Sequence, residues 1–171
     1  MELDNLAYEE IEPFFNSQPD EPYKQRIDYA LKAEFATAIR IDGELAGVAA
    51  LVTSWWFFHN PVIAIRPEFR RSRVSFELYE KLINYQRSKG YSFWVALVAK
   101  RNEPAVKLHL GTGFRILYEK NEKIGMTYQL AMPLNKRGEI ICKFLPFILR
   151  GFIHPLERKV LPFLRAHWLR S

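Results

Sequence analysis

The chain has 171 residues, about half of them apolar, with 25 Lys and Arg against 19 Asp and Glu. That length and composition suffice for one domain with a true core and exclude disordered, collagen-like and disulfide-stapled classes. The formal charge of +6 is unevenly placed: residues 1–135 hold 17 basic and 17 acidic side chains, whereas residues 136–171 hold 8 basic and 2 acidic.

Cys142 is the only cysteine and permits no intramolecular disulfide. His59, His109, His154 and His167 lack metal-ligand spacing, so no metal is expected. The start Met1-Glu2-Leu3-Asp4-Asn5 lacks the basic and apolar regions of a secretion signal, and a cytoplasmic location is the expectation. No stretch reaches the roughly 18 apolar residues of a membrane span. The most apolar segment, Ile140 to Ile153, is interrupted by Lys143, Pro146, Arg150 and Gly151.

Taken in chain order, Asn5 is placed to cap a short helix through Tyr8, Ile11 and Phe15, and Pro19 and Pro22 mark a turn. A second helix is predicted over Tyr23 to Lys32. Phe35 to Ile41 and Leu45 to Thr53 read as a hairpin about Asp42-Gly43, the pair that best supports a type I′ turn. A third strand is predicted from Trp55 to Ile65, ended by Pro67. Val74, Leu78, Leu82 and Tyr85 recur at helical spacing up to Gly90. Ser92 to Val98 is a buried strand. Asn102 to Leu110 is a short helix with Pro104 in its first turn. Phe114 to Glu119 and Met126 to Met132 are the last two strands. The fold class is α/β (α+β), a central mixed and mostly antiparallel sheet flanked by helices, with a C-terminal helical extension.

Two stretches carry chemistry. The first, Val62-Ile63-Ala64-Ile65-Arg66-Pro67-Glu68-Phe69-Arg70-Arg71-Ser72-Arg73-Val74-Ser75, is a strand, a basic loop and a helix start in succession. Unpaired N–H groups at a helix N-terminus, with arginines beside them, suit a pyrophosphate. The second is Asn102-Glu103-Pro104-Ala105-Val106-Lys107-Leu108-His109-Leu110-Gly111-Thr112-Gly113-Phe114.

Over roughly residues 5 to 133 the chain resembles the GCN5-related N-acetyltransferase (GNAT) superfamily. The first stretch is similar to its strand-x-Pro-Glu-aromatic-Arg and Arg/Gln-x-x-Gly-x-Gly/Ala motif. The second, through Asn102, Ala105, Leu108, Gly113 and Phe114, is similar to Asn-x-x-Ala-x-x-Leu-Tyr-x-x-x-Gly-Phe. The resemblance implies an acyltransferase with acyl-CoA or acetyl-CoA as cosubstrate and no metal. It implies that amides of Arg70, Arg71, Ser72, Arg73, Val74 and Ser75 hold the pyrophosphate, that Ile63 and Ile65 on the third strand hold the pantetheine arm, and that Asn102 contacts the same ligand. Arg73 and Ser75 stand where the family has glycines, and His109 stands where it commonly has a tyrosine that protonates the leaving thiolate.

Attack of an amine on a thioester needs a base, an N–H for the oxyanion and an acid for the thiolate. His59 or Glu68 is the expected base, an amide near Ile63 the oxyanion donor, and His109 the acid. Trp55, Trp56, Phe57 and Phe58 read as core in part and in part as the wall of a roomy apolar pocket. The departures from the motifs support an alternative, a catalytically silent GNAT-like domain that binds acyl-CoA or a partner protein.

Residues 1–135 are expected to form the transferase-like domain and residues 136–171 a separate basic, amphipathic tail. Lys136, Lys143 and Arg150 recur every seventh residue, among Ile140, Ile141, Phe144, Leu145, Ile148 and Leu149. Gly151 and Pro155 end that helix. A second is predicted from Pro155 through Leu156, Val160, Phe163, Leu164 and Trp168, with Arg158, Lys159, Arg165 and Arg170 beside it. Pro146 and Pro162 should kink these segments. Such helices lie on anionic membrane surfaces, which points to the inner face of the cell membrane; packing on the chain's own domain or on a second subunit of a homodimer is the other reading. The expected acceptor is a small-molecule or lipid-like amine, with an acyl carrier protein as a further donor, and no nucleic acid, because the tail is too apolar and the domain too neutral.

Overall fold

The computed structural model describes residues 2–17, 27–28, 30–54, 58–70, 72–122 and 125–153, with the backbone alone at 53–54, 58–60, 122 and 152–153. Among the described residues seven strands form two sheets. The first has the order β1 (Glu2–Asp4), β2 (Phe35–Ile41), β3 (Glu44–Ser54), β4 (Phe58–Ile65), and the second the order β5 (Phe93–Ala99), β7 (Gly125–Pro133), β6 (Arg115–Glu122). Pairing is antiparallel except between β1 and β2. The helices are α1 (Tyr8–Asn16), α2 (Val74–Ser88), α3 (Glu103–Gly111) and α4 (Lys136–Ile148), and residues 27, 28, 30 and 31 are also helical.

The predicted hairpin forms, with both Asp42 (φ 52°) and Gly43 (φ 84°) in the left-handed region that a type I′ turn requires. The unbroken apolar run of β3 reflects burial on both faces. Ala49 and Leu51 face the core under α2, and Val48, Ala50 and Val52 face the core that holds Ile11, Phe14 and Phe15 of α1. Gly47 brings α2 close, because a Cβ there would stand 2.9 Å from Val74 Cγ1 and 3.0 Å from Leu78 Cδ1.

Two readings need correction. Asn5 does not cap α1: it adopts φ 54° and its Nδ2 donates to Ala38 O, while Ala7 occupies the N-cap and Glu10 accepts from the Ala7 N–H at 2.8 Å. A short strand, β1, precedes α1 where no strand is expected from the sequence. Its three residues carry no periodic signal, and its Asp4 is fixed by long-range bonds from Lys81 (2.7 Å) and Thr37 (2.8 Å).

At the other end, α4 is capped by Asn135, whose Oδ1 accepts from Gly138 N–H at 2.9 Å. Leu145 and Leu149 bury against Val95, Tyr118 and Ala131 on the second sheet. Pro146 lies inside α4, and the helix then widens into a π turn over Leu149–Ile153. The predicted helices over 23–32 and from Pro155 onward fall wholly or largely outside the described residues.

Candidate functional site

β4 and β5 belong to different sheets, and among the described residues each lacks a ladder partner on the edge that faces the other. Between them is a cavity of about 300 Å³ lined by Pro61, Val62, Ile63, Ala96, Leu97, Val98 and Ala99 of the two strands, Tyr79 of α2, and Asn102, Ala105 and His109 at α3.

Register decides which backbone groups face this cleft. Arg66 N–H donates to Ala46 O at 3.0 Å, and the unshifted β3–β4 register continues through Val48↔Ala64 and Ala50↔Val62. In an antiparallel ladder hydrogen-bonded and non-hydrogen-bonded pairs alternate. Ile65, Ile63 and Pro61, opposite Gly47, Ala49 and Leu51, therefore belong to the second kind, and their main-chain groups point away from β3. Pro61 is tolerated there because its missing N–H would have had no ladder partner. The main-chain groups of Ile63 and Ile65 thus point away from β3, and of these the Ile65 C=O accepts from Arg70 Nε at 3.2 Å.

β4 leads through the Pro67–Phe69 turn into α2. Ser72 Oγ accepts from Val74 N–H at 3.2 Å and donates to Phe69 O at 2.6 Å, and the helical ladder opens with Glu77 N–H to Arg73 O. The Ser75 and Phe76 amides precede that ladder. Arg73 sits at φ −66°, ψ −18°, so replacing the family's glycine there costs no backbone strain. Arg73 and Ser72 are exposed; Arg70 is also exposed and its Nε donates to Ile65 O at 3.2 Å. Arg71 lies outside the described residues, as do Trp55, Trp56, Phe57 and the side chains of Phe58 and His59. The His59 backbone is on β4 opposite Thr53. Glu68 is exposed in the turn and is not among the cavity-lining residues.

Asn102 caps α3, its Oδ1 accepting from Ala105 N–H at 3.3 Å, and it also lines the cavity. His109 is buried. Its Nδ1 is 2.7 Å from Ala105 O and its Nε2 is 2.9 Å from the Tyr79 hydroxyl. A carbonyl only accepts, so Nδ1 carries the proton and Nε2 accepts from Tyr79 O–H. Burial lowers the His109 pKa, opposed by the bond to Ala105, and burial raises that of Tyr79. Around the pair, Tyr79 stacks on Trp94 at 5.6 Å, and Phe114 meets the His109 ring edge-on at 4.9 Å.

Tyr79 is the site residue that the sequence reading missed. Its only signal was a phenol on the core-facing side of α2, a group that needs a hydrogen-bond partner once buried.

The family model for the acetyltransferase (GNAT) family matches residues 3–114. The chain belongs to that family.

Solved structures show the same fold. The ribosomal-protein-S18-alanine N-acetyltransferase from Escherichia coli is 17% identical over 77% of this chain and 92% of its own, with a TM-score of 0.62. A GNAT family acetyltransferase from Elizabethkingia anophelis, solved with acetyl-CoA bound, is 18% identical over 66% and 84%, at 0.58. An acetyltransferase of the GNAT family from Streptococcus pneumoniae is 20% identical; the match spans 56% of this chain and only 64% of that one, at 0.50. Among the described residues no group of three or more His, Cys, Asp or Glu could hold a metal ion, and no helix is long and apolar enough to cross a membrane.

Proposed function

We propose that this GNAT domain transfers an acyl group from acyl-CoA to an amine at a membrane surface. The observation that carries the reading is the cleft: Ile63, which lines it, turns main-chain groups away from β3, and Asn102 and His109 line the same cavity. An extended amide-bearing arm would pair with the edge of β4 as an added strand does. Its pyrophosphate would lie at the start of α2, held by the Ser75 and Phe76 amides and by the side chains of Arg70, Arg71, Ser72, Arg73 and Ser75. The Ile63 N–H is the oxyanion donor in this reading, and His59 the residue that receives the acceptor.

The Escherichia coli relative is named for a protein alanine as its acceptor. Here the acceptor is a lipid-like or small-molecule amine, because Leu97, 47% exposed, stands at the cavity and α4 leaves Ile140, Phe144, Phe147 and Ile148 exposed. Lys136, Arg137 and Lys143 are exposed on the same helix. An apolar face with cations beside it suits the boundary of an anionic bilayer, so residues 136–171 act as the tail that holds the domain at the inner face of the membrane.

The test is free-thiol release from acetyl-CoA and palmitoyl-CoA with spermidine, dodecylamine in anionic vesicles, and an alanine-terminated peptide, beside calorimetric binding of each donor. Turnover with a membrane-borne amine is expected. Tight donor binding without thiol release from any combination, carrier-protein thioesters included, would leave a silent acyl-CoA-binding domain.

A further inference from the structure

Among the described residues, the polar side chains lining the cavity are those of Tyr79, Asn102 and His109, and no carboxylate is among them. Asn102 is an amide, committed to the Ala105 N–H, and does not titrate. Among the described residues lining this cavity, the titratable ones are Tyr79 and His109, joined by one hydrogen bond of 2.9 Å, and they are placed to carry proton transfer. Resting on the acyltransfer reading, we propose that Tyr79 is the catalytic residue that exchanges protons with the substrates, and that His109 is a positioning residue that stores the proton behind it.

The hydrogen-bond directions dictate this order. Nδ1–H of His109 is spent on Ala105 O, and Nε2 is an acceptor occupied by Tyr79 O–H. A neutral His109 in this tautomer has no proton to give to a leaving group, so it cannot act as a direct acid. The Tyr79 oxygen keeps lone pairs for a second partner while its own proton points at Nε2.

As the attacking amine forms its C–N bond, its N–H proton passes to Tyr79 Oη and the original phenolic proton moves to His109 Nε2. The imidazolium is held by two donated bonds, Nδ1–H to Ala105 O and Nε2–H to Tyr79 Oη. When the C–S bond breaks, Nε2–H returns to Tyr79 and a phenolic proton goes to the thiolate sulfur. The proton lost by the amine ends on the thiol, both side chains return to their starting state, and no other reactant is consumed. The phenol never becomes a free phenolate, which its burial would penalise.

The surroundings hold this geometry. Tyr79 from α2, Trp94 from β5 and Phe114 just before β6 make ring contacts with one another or with His109, and Tyr79 is the titratable one among them.

Two arms test the relay in the full chain. The first is ¹⁵N NMR of labelled histidine near neutral pH, with the His109 signals assigned by their loss in His109→Gln. A pyrrole-type Nδ1 and an unprotonated Nε2 that shifts in Tyr79→Phe are expected, and a protonated Nε2 overturns the proposal. The second is turnover with the best donor and amine pair of the wild type. Tyr79→Phe, which keeps the ring against Trp94, should lower kcat about a hundredfold with little change in KM for acyl-CoA. His109→Gln, able to accept from Tyr79 but not to store a proton, should lower kcat similarly and erase the acidic limb of the pH–kcat profile. A Tyr79→Phe variant with kcat within about twofold of wild type overturns the relay alone. A wild type that binds acyl-CoA without releasing thiol overturns the acyltransfer reading and the relay together.

Discussion

A Cβ added to Gly138 would stand 1.7 Å from the carbonyl oxygen of Ser92. The first turn of α4 thus rests directly on the main chain leading into β5, where Leu134 N–H donates to Ser92 O at 2.9 Å and Asn135 Nδ2 to Tyr91 O at 3.2 Å. Neither backbone can yield cheaply. Gly138→Ala should destabilise the chain by about 3 kcal/mol, measured by chemical denaturation. Gly151→Ala, whose Cβ meets nothing within 4 Å, is the matched control and should change little.

Gly47 plays the corresponding part under the candidate site. An alanine there would press on Val74 and Leu78 and shift the first turn of α2, where the pyrophosphate is proposed to bind. Gly47→Ala should cost about 1–2 kcal/mol and weaken acetyl-CoA binding several-fold in a titration calorimeter. Loss of stability with unchanged affinity would separate that turn from the donor site.

Gln86 is fully buried on α2, and its side-chain oxygen and nitrogen have no hydrogen-bond partner among the described residues. An amide taken from water without a partner costs about 1–3 kcal/mol. Gln86→Met keeps most of the shape and removes the penalty, so the denaturant midpoint should rise. A fall would show that the amide is satisfied.

Burial holds His109 below the usual histidine value, partly offset by its bond to Ala105. The unfolded chain has an ordinary histidine with a pKa near 6.5. Between the folded value and that one, the unfolded state binds the proton and the native state does not, so stability rises with pH across the window. Acidification below about pH 6.5 should therefore weaken the fold, and His109→Gln should remove part of that loss. Denaturant midpoints at pH 7.5 and 5.5 for both proteins decide the matter.

Phe144 and Phe147 are 59% and 75% exposed on α4. Phe144→Asp with Phe147→Asp should leave the melting temperature nearly unchanged, since neither side chain is in the core, and should abolish sedimentation with anionic vesicles. A doubly substituted chain that still pellets with vesicles removes α4 from the membrane contact.

Much of the fold was legible in local chemistry. Asp42-Gly43 specifies its turn because few other pairs tolerate positive φ at both positions. The periodicity of Val74, Leu78 and Leu82 specifies α2, and Asn102 with Pro104 specifies the start of α3. Ile63 and Ile65 could be nominated from their place in the motif, but only the pairing of Arg66 with Ala46 fixes the phase of the ladder and hence which way their main-chain groups point.

The sequence by itself therefore determined the order of elements from α1 through β7 among the described residues, the two motifs, and the uneven placing of charge along the chain, because each is written in neighbouring residues. Tertiary structure decided that β1 joins β2, that α4 lies against Ser92, and that Tyr79 lies beside His109, thirty positions away in the chain. Those outcomes depend on contacts between segments far apart in sequence. The tautomer of His109 follows from one such contact together with a carbonyl one helical turn behind it, and no periodicity or motif records either.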